Sequence, residues 1–180
     1  MDLSKRFSER LRHDVDEGQM RDGSIRYLMM RPDALMGMFA RLEPDIRAKA
    51  HAALAASVAE FGGRSIAAYR TSGAVSPDAL MQTIVETSAD LGWGCWEFSR
   101  RGEGALTVEV RNSPFADGAG LTGEAVCAPI IGILSAMAPV LVGEGAVVTE
   151  TTCASLHGEG PCCFTIAYHP QPAKVPPKSL

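Results

Sequence analysis

Aromatic residues make up only 6% of this 180-residue sequence, with two tryptophans among them. Its core must therefore rest on small and adaptable side chains, which Ala, Gly and eight Met supply. An excess of positive charge is also missing: 17 Lys and Arg stand against 21 Asp and Glu, a formal charge of −4. With a pI near 5.6, that balance argues against direct nucleic-acid binding. The opening MDLSKRFSERLRHDVDEG lacks the apolar segment of a secretory signal, and its acidic residues disfavour a mitochondrial presequence, so a cytoplasmic location is expected. Five cysteines, an odd count with Cys162 and Cys163 adjacent, do not describe a secreted disulfide framework. In a reducing compartment such cysteines bind metal, react or pack. No glycine-rich dinucleotide fingerprint is present, because GEGAV and GEGPC do not open a strand-to-helix turn of the required kind. The one long apolar run, Ala125 to Val142, is interrupted by Pro129, Gly132 and Pro139, flanked by Glu124 and Glu144, and has no basic flank. It reads as a central or subunit-interface helix rather than a membrane span.

What is there suits one folded domain: 46% hydrophobic and 21% charged residues. Residues 1–19 read as a basic N-terminal arm, with Lys5, Arg6, Arg10 and Arg12 in a helical stretch over 4–15. Ser24 to Met30 reads as a strand after the Asp22-Gly23 turn, and Pro32 opens a helix toward Leu42. From Pro44 to about Tyr69 small apolar residues recur at helical spacing, with a bend or break expected at Gly62-Gly63. Ser76-Pro77 caps a further helix that runs to Leu91. The second half changes period. Cys95 to Arg101 and Ala105 to Asn112 pair as a hairpin, NSPFADGAG reads as a loop, and the apolar helix spans about Gly123 to Val142. Strands follow over Ala146 to Thr152 and Cys162 to Tyr168. The expected fold is α+β, N-terminal helices packed on a mainly antiparallel sheet with a late central apolar helix, in a single domain over 20–169. The Pro-rich tail over 170–180 reads as disordered.

The chemistry concentrates near the end. Cys153 and Cys162 flank the loop ASLHGEGP between two strands, which brings both sulfurs to one end of a hairpin. Cys127 falls in the first turn of the apolar helix, where exposed N–H groups favour a thiolate. Glu150 is a lone carboxylate in an uncharged strand and needs a partner if buried. Three thiolates and a carboxylate suit a tetrahedral zinc ion. A regular strand would turn Glu150 and Cys153 to opposite faces, so the site requires a turn or bulge near Thr152. His157 is an alternative fourth ligand, and simple packing of free cysteines is the competing reading.

Leu91 to Phe164, with LGWG, VEVRNSPFA and Cys127-x22-Glu150-x2-Cys153-x8-Cys162-x-Phe164, resembles the 4-vinyl reductase domain family. The Cys153 to Cys162 loop is one residue longer than the common family spacing, and Cys163 competes with Cys162 for the last ligand position. Strand alternation puts those two on opposite faces, and Phe164 one residue on favours Cys162. The resemblance implies zinc held by Cys127, Glu150, Cys153 and Cys162, with four protein ligands and no open position, as in structural sites. It also implies binding of a small hydrophobic or aromatic molecule in an apolar cavity. The candidate lining is Trp93, Trp96, Phe98 and Phe115, with Met81, Met137 and Tyr69 beside them, while Cys95 is assigned to the core. The implied output is a sensor that acts through a homodimer or protein partner surface, or a carrier. Two other classes follow from the same resemblance: an enzyme or accessory factor of tetrapyrrole metabolism, for which no catalytic motif is visible, and a scaffold seamed by the apolar helix. His13, His51 and His169 read as surface residues.

Overall fold

The computed structural model describes residues 5–168 except 74, 75 and 103. The expected tail and His169 lie outside them. The chain opens with a one-turn helix α1 (Phe7–Arg10) and a meander of three short antiparallel strands, β1 (Arg12–Asp14), β2 (Gln19–Asp22) and β3 (Ile25–Tyr27). The basic helix expected over 4–15 is thus cut to one turn, because its charges are used in tertiary contacts. Arg10 turns inward to Asp22 at 3.1 Å, with both side chains 7% exposed. Arg6 reaches Asp90 at 2.6 Å, and Ser8 donates to the same carboxylate at 3.0 Å from both its backbone N–H and its hydroxyl.

Three helices follow, α2 (Pro32–Ala40), α3 (Pro44–Thr71) and α4 (Pro77–Asp90), each with Pro in its first turn. There the missing N–H costs nothing. The Ser76 hydroxyl accepts from the Ala79 N–H, as its capping position predicts. The break expected in α3 does not occur: the helix is continuous through Gly62 and Gly63. Both glycines lie against a later helix, near Ile133 and Ala136, so helix packing offsets their weak helical propensity.

The second sheet has the order β4-β5-β7-β6, built from β4 (Cys95–Arg100), β5 (Ala105–Arg111), β6 (Ala146–Thr152) and β7 (Cys162–Tyr168), with every neighbouring pair antiparallel. Gly94 enters it at φ +92, and a Cβ there would stand 2.5 Å from the Arg111 carbonyl oxygen, which explains the second glycine of LGWG. Alternation sorts the two faces. Trp96, Leu106, Val108, Val110, Phe164 and Ile166 are buried inward, whereas Cys95, Glu97 and Ser99 are exposed outward. Cys95 is therefore a surface residue on an edge strand, not core as expected. The segment NSPFADGAG, expected as a loop, contains helix α5 (Pro114–Ala119), capped when the Ser113 hydroxyl accepts from the Ala116 N–H. The apolar run yields α6 (Ala128–Leu141), shorter than expected. It packs between α3 and β6, leaving Ser135 and Pro139 as its exposed positions, so it is a core helix rather than an open seam. Among the described residues no helix is long and apolar enough to cross a membrane. One turn of helix, α7 (Ala154–His157), closes the connection from β6 to β7.

Candidate metal centre and apolar cavities

Four chain segments meet behind the inward face of the second sheet. Cys127 caps the N-terminus of α6, just outside its first turn, where an N-cap side chain faces the free N–H groups of the helix. Cys153 holds the same position on α7, and Cys162 begins β7. Glu150 pairs with Phe164 across the sheet, but Thr152 pairs with Cys163, so one residue of β6 is bulged out between them. That bulge resets the alternation and turns Glu150 and Cys153 to one side, as the site required. The ligand atoms of Cys127, Glu150, Cys153 and Cys162 lie within 4.8 Å of one another, a group that can hold a metal ion. Neither His157 nor Cys163 belongs to it. His157 is exposed, and Cys163 points to the other face of β7.

The sulfurs of Cys127, Cys153 and Cys162 are buried, on residues no more than 1% exposed. Their separations are 3.5 Å for Cys127 to Cys162, 3.8 Å for Cys127 to Cys153 and 3.9 Å for Cys153 to Cys162. These are far longer than a disulfide bond of about 2.05 Å. Sulfurs so close cannot all carry charge without a cation. The hydrogen bonds shared with Cys127 and Cys153 push Cys162 down to about 3. The bonds to Cys153 and Cys162, with burial behind them, push the Cys127 thiol up. Burial, reinforced by Cys153, raises Glu150 to about 8. Supporting donors surround the group: the Cys127 N–H points at Glu150 Oε2 (3.3 Å), the Ala154 N–H at the Cys162 sulfur (3.4 Å), and the Ser113 hydroxyl contacts the Cys127 sulfur at 3.3 Å. Glu150 Oε1 is buried with no hydrogen-bond partner among the described residues.

Two apolar cavities lie elsewhere in the molecule. One, about 380 Å³, is lined by Phe7, Leu11, Met20, Leu28, Leu35 and Phe115 among others. The second, about 290 Å³, runs along α3 and α4 past Val58, Tyr69, Ile84, Thr87 and Ser88. Tyr27, Leu91 and Trp93 line both, so these three side chains form the partition. Of the four aromatic candidates, Trp93 and Phe115 reach a cavity and meet edge to face at 5.2 Å. Trp96 and Phe98 line neither of the two. Trp96 is core, its indole N–H donating to the Trp93 carbonyl at 2.9 Å. Tyr69 lines the smaller cavity, whereas Met137 is fully buried and Met81 lines neither. Sequence reasoning does not identify Tyr27, Phe7 or Leu11. SIRYLMM contains the signal, since its apolar residues continue past the strand into the cavity wall.

The partition has a measurable signature. Burial, followed by neighbouring Tyr69, holds the Tyr27 phenol up at about 12. An unfolded tyrosine ionises near 10. Between those values the folded protein binds the extra proton, so this stabilisation is full below about pH 10 and is lost as pH rises through about 12. Tyr27→Phe is expected to flatten the fall of Tm over that interval; an unchanged slope would show that Tyr27 is open to water.

Fold and site together define a single α+β domain in which a Cys3Glu group ties a core helix to a sheet, with two apolar cavities in the same fold. Residues 106–167, which include all four members of the group, match the family model of the 4-vinyl reductase domain, and the chain carries that domain over this segment. The phenol-responsive sensory domain of the transcription activator PoxR, solved with phenol, superposes with a TM-score of 0.73 at 16% identity, over 89% of this chain and 86% of that one. It shares the fold. Weaker likenesses are to a trafficking protein particle complex subunit 3 from Naegleria fowleri covalently bound to palmitic acid, TM-score 0.47 at 13% identity over 76% and 93% of the two chains. A vinyl-4-reductase family protein from Methanocaldococcus jannaschii gives 0.45 at 14% identity over 79% and 98%. No curated protein matches the chain.

Proposed function

We propose that this protein is a zinc-stapled binding or sensor module for a small hydrophobic or aromatic molecule, cytoplasmic and dimeric, whose output passes to a partner or which carries its ligand. Zinc fits the donor set. Sulfurs about 2.3 Å from a tetrahedral zinc stand about 3.8 Å apart, and the three observed separations of 3.5 to 3.9 Å bracket that edge. The orphaned Glu150 Oε1 supplies the fourth donor. Four protein ligands leave no position for substrate, so the ion when bound supplies cohesion: Cys127 holds α6, Glu150 holds β6, and Cys153 and Cys162 hold the two ends of the β6–β7 connection.

The observation that carries the binding role is the partition of Tyr27, Leu91 and Trp93 between two apolar cavities. The Trp93 indole and the Tyr27 phenol, set among mostly aliphatic walls, suit a flat ring. The volumes lie near the lower end of small-molecule pockets, roughly 300 to 1,000 Å³. The fold shared with a phenol-responsive sensory domain supports this reading. Thr87 and Ser88 at the end of α4 line the smaller cavity and offer hydroxyls to a phenolic ligand. Calorimetric titration with phenol and with toluene tests it. Saturable one-site binding is expected, weakened about tenfold or more by Trp93→Ala, since loss of a buried aromatic contact costs upwards of about 1.4 kcal/mol. Binding that ignores Trp93→Ala, or no saturable binding of either compound, rejects the assignment.

A further inference from the structure

The three sulfurs of the metal group are sealed, but Glu150 is not: it lines an open hollow of about 360 Å³ between α3, the approach to α6, and β6. The hollow is shared by His51, Ala55, Ala125, Ala128 and Thr149, and Ala125 and Thr149 are exposed at its rim. His51 is not the surface residue its sequence context suggests. Its ring stacks on Phe39 at 4.2 Å, yet both ring nitrogens are buried and find no hydrogen-bond partner among the described residues. Buried polar atoms are rarely left unpaired without a purpose, because the loss of hydration is not recovered. Packing on Phe39 alone is served as well by an apolar side chain. Burial also holds His51 below its usual value, so the imidazole is neutral and offers a free lone pair, a donor type that zinc accepts.

Two unpartnered metal-binding side chains, His51 and Glu150, therefore face one hollow, and the sulfurs lie behind Glu150. We propose that this hollow is the port of the metal centre, in which His51 is a transient ligand that takes the ion from solvent and hands it to Glu150 and then to the buried cysteines. The inference rests on the metal reading above. His51 acts in transit and is not one of the four ligands of the loaded site.

A ligand used only in transit lowers the barrier in both directions and leaves the equilibrium unchanged. Stopped-flow loading of metal-free protein with Zn²⁺, release of zinc to a colorimetric chelator, and Kd from chelator competition distinguish the cases in wild type, His51→Gln and Ala125→Leu. His51→Gln keeps the bulk but weakens the ligand, and Ala125→Leu fills the rim from an exposed position. Both are expected to slow loading and release by the same factor, about ten, at the lower end of what a lost supporting ligand does at metal sites, with one zinc per chain and Kd unchanged. Wild-type rates in both variants overturn the port and leave the staple standing. A His51→Gln protein that releases zinc faster and binds it more weakly makes His51 part of the loaded site, which overturns the transit role. Wild-type protein that takes up no zinc overturns the metal reading itself, and this proposal with it.

Discussion

Stripping zinc from the loaded protein with a strong chelator is expected to lower its Tm by roughly 8 to 16 °C. A ligand that binds only the folded state, at a free concentration about a thousandfold above Kd, stabilises by about 4 kcal/mol, and each kcal/mol moves Tm by about 2 to 4 °C in a domain of this size. The structure says where that energy resides. Cys127, Cys153 and Cys162 hold α6, α7 and β7 at one point, and without a cation the fold keeps crowded sulfurs and an unpartnered Glu150 Oε1. Cys153→Ser is expected to show the low Tm from the outset, to lack zinc by elemental mass spectrometry, and to ignore the chelator. Cys163→Ser, on the opposite face of β7, is expected to keep one zinc per chain and the wild-type response. A wild-type Tm indifferent to chelation would sink the staple, as would loss of zinc in Cys163→Ser but not in Cys153→Ser.

The metal group is legible in the sequence because it depends on strand period and residue type. Alternation excludes Cys163 from the site of Cys162, and it demands the bulge that the register shift after Glu150 supplies. The second sheet is legible for the same reason, since Leu106, Val108 and Val110 alternate with polar neighbours. Helix α5 escapes such a reading although Ser113-Pro114 repeats the Ser76-Pro77 cap, because Asp117, Gly118 and Gly120 weigh toward a loop when only local propensity is counted. The N-terminal meander escapes it for a different reason: its strands of three or four residues bury little and are fixed by Arg10 on Asp22 and Arg6 on Asp90, contacts across the chain that no local pattern shows. Cys95 is misplaced by residue type because cysteine is usually buried, whereas its face of β4 is open. The cavity wall is half legible. Aromatic identity points to Trp93 and Phe115, but only the tertiary arrangement separates them from Trp96, whose indole is spent inside the core.

Three glycines on the contact between α3 and α6 are expected to respond to alanine in opposite directions. A Cβ on Gly132 would stand 2.5 Å from the Ala55 carbonyl oxygen and 2.9 Å from the Val58 Cβ. Neither atom is the free end of a side chain, so the two helices must move apart. Gly63 is open by comparison, with Ala136 Cβ at 3.7 Å, an ordinary contact. At Gly62 the nearest atom, 2.7 Å away, is the end of the Ile133 side chain, which can turn aside. Alanine gains up to about 1 kcal/mol over glycine inside a helix, and overpacking costs typically about 1 to 3 kcal/mol. Gly63→Ala is therefore expected to stabilise by about 0.5 to 1 kcal/mol, Gly62→Ala to be close to neutral, and Gly132→Ala to destabilise by about 1 to 2 kcal/mol, measured by urea unfolding of the loaded protein. The consequence reaches the metal centre, because α6 carries Cys127 at its N-terminus and a displaced helix carries that sulfur away from Cys153 and Cys162. Gly132→Ala should then bind zinc more weakly in chelator competition while Gly63→Ala binds it as wild type does. A destabilised Gly132→Ala protein with unaltered zinc affinity would show that α6 tilts about its N-terminus, with the staple as the fixed point and the α3 contact as the part that yields.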